Sequence, residues 1–358
     1  HAGREDGRLG PRGRLPDADG PGGVAGARGG TDRVFRGHGY MVTALAFDGD
    51  GTRLASVGLD GAIHVWDVTR DPEVATLPGV PDPWAAATSP AGDRLALSPR
   101  PHGSPADHTV VVLNTSTKER AFAVPGCGGA AFSPDGRWLA AGRRAGGLVV
   151  WDAATGAEVR ALPVPNSLAM RVAFTLDGRR LIAGDATGTV RVWETAAWAE
   201  PTVLATGVGT IAALDVSPDG AHVVAGGKTG AEVWSLADAT LSRRLSVEFV
   251  FAAGFSLAGQ RLAFAERPRV RVFDADTWKE QPSLNPPGGA EALAFSPDGR
   301  RLVTAGSDPA VRVWDVDLAQ EVLSLPGARP AVAALCWDHA NDRVIAVDTA
   351  VRIWDPGR

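Results

Sequence analysis

Apolar and polar residues alternate in short runs along residues 31–355, and the runs recur. Eight of them end almost alike: HVWD at 64–67, VVLN at 111–114, VVWD at 149–152, RVWE at 191–194, EVWS at 232–235, RVFD at 271–274, RVWD at 312–315 and RIWD at 352–355. A period of two puts Val190 and Val192 on one strand face and Arg191 on the other, and does the same with Val311, Val313 and Arg312. Each run therefore predicts a β-strand.

A tight turn stands upstream of every run: DGDG at 48–51, SPAG at 89–92, SPDG at 133–136, TLDG at 175–178, SPDG at 217–220, SLAG at 256–259, SPDG at 296–299 and DHAN at 338–341. Gly, or Asn in the eighth copy, closes it, as a hairpin needing a left-handed residue demands. Strands such as TALAF, RVAF and EALAF precede the turns, and others start after them at Leu54, Leu95, Leu139, Leu181, Val223, Leu262, Leu302 and Val344. The large residue of each run lies 38 to 47 residues from the next, and a period near forty is the length of one β-propeller blade. A sheet of that size cannot bury its own two faces, so neighbours must stack.

These residues resemble the WD-repeat β-propeller family, whose repeats end in Trp-Asp and whose blades hold four antiparallel strands; the likeness covers residues 31–355. The expected fold is all-β, an eight-bladed propeller of four-stranded blades, with seven blades as the alternative. The count turns on the second copy, which has Leu113-Asn114 for Trp-Asp and an insertion at 98–108. The last repeat stops after its third strand, while TDRVFR at 31–36 precedes the first as an orphan strand, so an N-terminal strand is expected to complete the last blade and protect its edge.

Residues 1–30 are rich in Gly, Pro, Arg and Asp, too poor in apolar groups to fold, and read as a linker before a propeller at 31–358. Starting with His, the chain is expected to be a fragment or the C-terminal module of a longer protein. A net charge of −5 and the lack of a basic stripe argue against nucleic acid. No run of about eighteen apolar residues predicts a membrane span, so the module itself is expected to make no membrane contact. Cys127 and Cys336 are the only thiols, which suits a reducing, cytoplasmic setting.

His38, Ser56, Asp60 and Trp66 have the spacing that the family resemblance associates with a buried hydrogen-bond network rather than a hydrolytic triad. The seventh repeat keeps Thr304, Asp308 and Trp314 without the His. Arg191, Arg271, Arg312 and Arg352, each two places before the aromatic of its repeat, read as solvated side chains whose stems cover apolar surface. His102, Asp107 and His108 lie in the inserted loop, whose spacing fixes no metal geometry.

Loops leading into each innermost strand, and loops joining the second strand to the third, share one face of such a propeller. The first set carries Tyr40, Met41, Trp84, Phe249, Phe251 and Arg329; the second carries Arg143, Arg144 and Arg267. Aromatics and arginines anchor protein interfaces, so this rim is expected to bind a protein or peptide of acidic character. Trp198 and Trp278, at equivalent places on the opposite face, read as caps on the blade edges. Ala-rich innermost strands offer no ring of His, Asp or Glu, no motif implies a cofactor or metal, and the expected role is a non-catalytic, monomeric scaffold or sensor. Similar high-GC bacterial proteins, which the SPDGR turns resemble, are often joined to a Ser/Thr kinase or signalling ATPase. The alternative is a propeller enzyme of lactonase or hydrolase type using Asp82, Glu248, Glu266 or Glu291 at the channel mouth.

Overall fold

The recurring turn is a hairpin with a built-in hydrogen-bond clamp. Ser133 Oγ donates to Asp135 Oδ1 at 2.5 Å and accepts the Trp138 N–H at 3.0 Å. Ser217, Ser296 and Thr175 repeat the arrangement with Asp219, Asp298 and Asp177. Gly136, Gly178, Gly220 and Gly299 follow at φ of 68–72°, where a Cβ would be strained. The hydroxyl bond holds the carboxyls of Asp177, Asp219 and Asp298 below the usual carboxylate range.

The computed structural model describes residues 83–326, except 92, 100–107, 115–116, 118, 144–145, 166, 168, 297 and 308–309, and strand backbones at 33–35, 42–47, 53–58, 63–67, 75–77, 334–338, 343–347 and 351–354. Among them are eight antiparallel sheets, seven with four strands. Each of the first seven draws its strands from one repeat in chain order, as in Cys127–Phe132, Trp138–Gly142, Leu148–Asp152 and Glu158–Leu162. The eighth pairs Arg33–Phe35 with Val351–Trp354, in the register Arg33↔Ile353 and Phe35↔Val351. The strands before the turns lie side by side in sequence order, from Val42–Phe47 through to Ala334–Asp338, and the last also lies against the first. The fold is thus all-β, of four-stranded antiparallel sheets, consistent with a β-propeller.

Alternation explains the stacking. In the third sheet, Val149 and Trp151 point towards the second sheet and join Val110, Val112 and Val124 in one core cluster. Leu148 and Val150 point the other way and pack with Leu181, Ala183 and Trp193 of the fourth. Each fully buried Val or Leu contributes roughly 1.5–3 kcal/mol, and every such contact joins two sheets. The degenerate second copy folds like the others, with Leu113 buried in place of Trp.

The sixth sheet departs from the expected four strands. It has three, Ala252–Phe255, Arg261–Ala265 and Val270–Asp274, flanked by isolated bridges Val270↔Leu284 and Phe273↔Glu280. Pro282 lies between those bridges, lacks an N–H and interrupts the ladder.

Three arginines are also less solvated than their sequence positions implied. Arg191 bonds Asp185 at 2.5 Å with 11% of its side chain exposed, Arg271 meets Glu280 at 2.5 Å, and Arg312 meets Glu321 at 2.7 Å. Burial opposes ionisation of Asp185, but donors from Thr187, Thr189 and Arg191 outweigh it and lower its pKa.

Candidate functional site

The clearest exposed feature is the loop before Ala252–Phe255. Three hydrogen bonds fix it: Val250 N to Gly227 O at 3.0 Å, Phe251 N to Ala265 O at 2.9 Å, and Glu248 N to Glu266 Oε2 at 2.7 Å. Val250 is buried in the core between the fifth and sixth sheets, which pulls the loop tight. Phe249, just before it, takes a left-handed φ of 42° and leaves half of its surface, 51%, in water. Left-handed backbone at a bulky residue costs of order 1–2 kcal/mol, and the anchored neighbours hold it there.

Phe249 and Phe251 pack together at a 45° tilt with ring centroids 5.1 Å apart. Antiparallel pairing returns the following strand to the same end, so Arg267, just beyond Arg261–Ala265, meets them. Its guanidinium lies 5.3 Å from the Phe251 ring centroid, forms an ion pair with Glu291 and reaches Ser307 Oγ at 3.3 Å. The expected rim thus brings Phe249, Phe251 and Arg267 together. Arg143 occupies the matching loop of the third sheet, where it pairs with Glu158 at 2.9 Å. Both described arginines of this rim are neutralised internally, which offsets the positive field the sequence offered to an acidic partner. Tyr40, Met41, Arg144 and Arg329 lie outside the described residues, as does the side chain of Trp84 in Pro83–Thr88.

Two carboxylates of the enzymatic alternative, Glu266 and Glu291, serve the loop. Glu266 is buried and accepts Arg269 at 2.8 Å besides the Glu248 N–H, while Glu291 holds Arg267. Asp82 lies outside the described residues. Among the described residues no three His, Cys, Asp or Glu side chains group to hold a metal. His108 is described and buried; His102 and Asp107 are not described.

Of the expected His-Ser-Asp-Trp network, His38 and Asp60 lie outside the described residues, and Ser56 and Trp66 are described only as backbone, in Arg53–Gly58 and Ile63–Asp67. The seventh sheet shows the bond itself, Trp314 Nε1 donating to Thr304 Oγ1 at 2.8 Å; Asp308 is outside the described residues. The fifth solves the same problem differently: buried Glu232 accepts Trp234 Nε1 at 3.1 Å and Arg244 at 2.8 Å. Trp198 and Trp278 are inter-sheet staples, packed edge-on against Trp138 at 5.2 Å and His222 at 6.1 Å.

One residue escaped notice in the sequence. Two places before the turn hydroxyl, the innermost strands carry Ala87, Ala131, Ala173, Gly254 and Ala294, but the fifth carries Asp215. Its Oδ2 accepts the Phe255 N–H at 2.8 Å, and it borders a cavity of about 340 Å³. A lone Asp in an otherwise small-residue register was the available signal.

Comparisons with known proteins agree with this architecture. The family described as WD domain, G-beta repeat matches residues 29–67, 125–152, 160–194 and 283–315. The chain is 30% identical to Protein HIR1 of Candida albicans over 118 residues, which is 30% of this chain and 11% of that protein. It is 31% identical to the Target of rapamycin complex subunit wat1 of Schizosaccharomyces pombe over 102 residues, 27% of this chain and 32% of the relative. A U3 snoRNP-associated protein-like YAO of Arabidopsis thaliana matches over 53 residues at 42% identity, covering 15% of this chain and 10% of its own length. The chain thus spans a third or less of each relative. Among solved structures, the computationally designed Ika8 protein superposes with a TM-score of 0.77 at 24% identity, covering 90% of this chain and 98% of that one. Four segments of the chain are thus similar to WD repeats, in a fold consistent with a β-propeller.

Proposed function

We propose that the chain is a non-catalytic protein-interaction scaffold whose partner-facing rim centres on Phe249, Phe251 and Arg267. The observation that carries this reading is Phe249, a large aromatic held half exposed by three hydrogen bonds of its loop and a left-handed turn. A rigid aromatic presented to water loses little entropy when a partner covers it, which is the property of an interface anchor. The partner supplies an apolar group over Phe249 and a carboxylate that competes with Glu291 for Arg267. Two of the relatives are, by name, a complex subunit and a ribonucleoprotein-associated protein, in keeping with a scaffold.

The reading extends to architecture. Residues 31–358 form one closed, monomeric eight-bladed unit preceded by a linker at 1–30. The circular order of neighbouring innermost strands and the Arg33–Phe35 pairing support it. We place the module in the cytoplasm as part of a larger bacterial regulatory protein of kinase or ATPase type, resting on the resemblance of its SPDGR turns.

The test compares proteins retained from a source-cell extract by the wild-type chain, Phe249→Ser and Arg267→Glu. Proteins held by wild type and lost by both variants are expected. The same set retained by all three would remove the rim from the proposal.

A further inference from the structure

The innermost strands have two ends, and the end opposite Phe249 carries a second, chemically different feature. Four repeats finish this strand with an aromatic: Phe132, Phe174, Phe255 and Phe295 stand directly before the turn hydroxyl. The fifth has Val216 there, and Gly254 of the sixth lacks a side chain one place earlier. Those smaller residues leave a cavity of about 340 Å³ between the innermost strands of the fourth to seventh sheets. Its walls include Phe174, Phe255, Leu293 and Phe295. Among the described lining residues Asp215 alone is charged.

At the mouth, the turns of the fourth and sixth sheets place Leu176 and Leu257 with 61% and 51% of their surfaces in water. Pro218 sits between them in the turn of the fifth. The described lining is therefore that of a small apolar well with one carboxylate in its wall and an apolar collar outside it. The volume lies at the lower end of the range for ligand pockets, room for one long side chain rather than a folded element.

We propose that this mouth binds a partner peptide by taking one Lys or Arg side chain into the well, its charged end on Asp215 and its apolar stem along the phenylalanines, while apolar residues flanking it cover Leu176 and Leu257. Charge complementarity selects the cation, since a carboxylate in an apolar wall is stabilised most by a paired donor. The collar selects a peptide over a free amine, which would leave both leucines in water. Burial pushes the Asp215 carboxyl up to about 6, against the N–H groups of Phe255 and Val216, and an entering cation restores its ionised form. The net charge of −5 favours approach of a basic segment. This site is independent of the Phe249 rim.

The experiment passes a display library of random peptides over immobilised Asp215→Asn chain and then selects the unretained pool on wild type. Asn keeps an acceptor for the Phe255 N–H, so the variant preserves the local fold. Recovery of peptides with Lys or Arg beside Leu, Ile or Phe is expected. Their synthetic versions should bind Asp215→Asn roughly ten- to a hundredfold more weakly, as loss of a charge-assisted hydrogen bond implies. Leu176→Ser and Leu257→Ser, at exposed positions, should each weaken them several-fold, and Phe249→Ser should leave them unchanged. Two results overturn the proposal. One is a depleted pool yielding no basic peptide, which would leave Asp215 a structural acceptor between strands. The other is hexylammonium alone binding as tightly as the best peptide, which would make the occupant a free amine.

Discussion

Trp193 of the fourth sheet is fully buried, and its Nε1 has no hydrogen-bond partner among the described residues. Trp314 of the seventh sheet occupies the same register and does have one, Thr304 Oγ1 at 2.8 Å. The ladders are superimposable: Leu302 faces Trp314 and Thr304 faces Arg312, just as Leu181 faces Trp193 and Ala183 faces Arg191. Ala183 therefore stands where a hydroxyl would meet the Trp193 indole. Two reciprocal substitutions follow from that correspondence.

Thr304→Val keeps the shape and removes the acceptor. An orphaned buried donor costs about 1–3 kcal/mol, and the added methyl returns somewhat under 1 kcal/mol of apolar burial, so a net loss of about 1–2 kcal/mol is expected. Ala183→Ser supplies the missing acceptor. A made hydrogen bond contributes about 1 kcal/mol, and one extra oxygen in a packed site consumes part of it, leaving a gain of about 0.5 kcal/mol. Equilibrium urea unfolding followed by circular dichroism reads both. The pair Ala183→Ser and Trp193→Phe then isolates the bond in a double-mutant cycle, with a coupling of about 1 kcal/mol expected. A neutral Thr304→Val, or zero coupling in the cycle, would refute the reasoning.

Other consequences can be checked with the same unfolding assay. The fifth residue after each large aromatic adopts a left-handed backbone: Gly156 at φ 75°, Ala239 at 60° and Ala319 at 50°. Ala239→Gly and Ala319→Gly should each stabilise the chain by about 0.5–1 kcal/mol; a loss at both would show that the methyl packing outweighs the strain. Because the folded pKa of Asp215, about 6, lies above the 3.8 of the free group, its ionisation costs stability above pH 6, and that cost vanishes as the pH falls below the unfolded value. Asp215→Asn should accordingly be more stable than wild type by about 1–2 kcal/mol near pH 8, discounting for water at the open mouth, with the gap closing near pH 4; a gap independent of pH would contradict the assignment. Shortening the chain to begin at His38 removes Arg33–Phe35 and bares the edge of Val351–Trp354, so earlier melting with aggregation is expected, and equal melting temperatures would take the pairing out of the account.

What could be read from residues alone was whatever recurs. The Ser-Pro-Asp-Gly turns, the alternating VWD strands and the N-terminal strand pairing with the last repeat are each set by local chemistry repeated along the chain, and each has its counterpart in the structure. Tertiary pairing was not legible in the same way. Arg271 and Arg312 looked like solvated side chains because their carboxylates, Glu280 and Glu321, sit nine residues later on the neighbouring edge segment. Pro282 was visible, but its effect on the sixth sheet depended on knowing that residues 280–284 lie where a fourth strand would run. At the expected rim, residue type pointed to Phe249, Phe251 and Arg267, whereas the ring and guanidinium contacts that unite them depend on two loops meeting at one end.

The two faces gain their separate chemistry from one short strand. Ala252–Phe255 follows Phe251 at one end, and at the other the Phe255 N–H reaches Asp215. Four residues at about 3.3 Å each span roughly 13 Å, beyond the distance at which independent sites usually couple. The strand between them is hydrogen-bonded along its length to Arg261–Ala265 and packed on the fifth sheet, and coupling would require a second arrangement of that ladder. Binding at the aromatic rim should therefore leave affinity at the Asp215 mouth unchanged, and the combined Phe249→Ser, Asp215→Asn chain should lose the two activities additively. Two uncoupled sites at the ends of one strand would let the chain hold two partners at once in fixed relation, which is what the proposed scaffold requires and what a switch would not do.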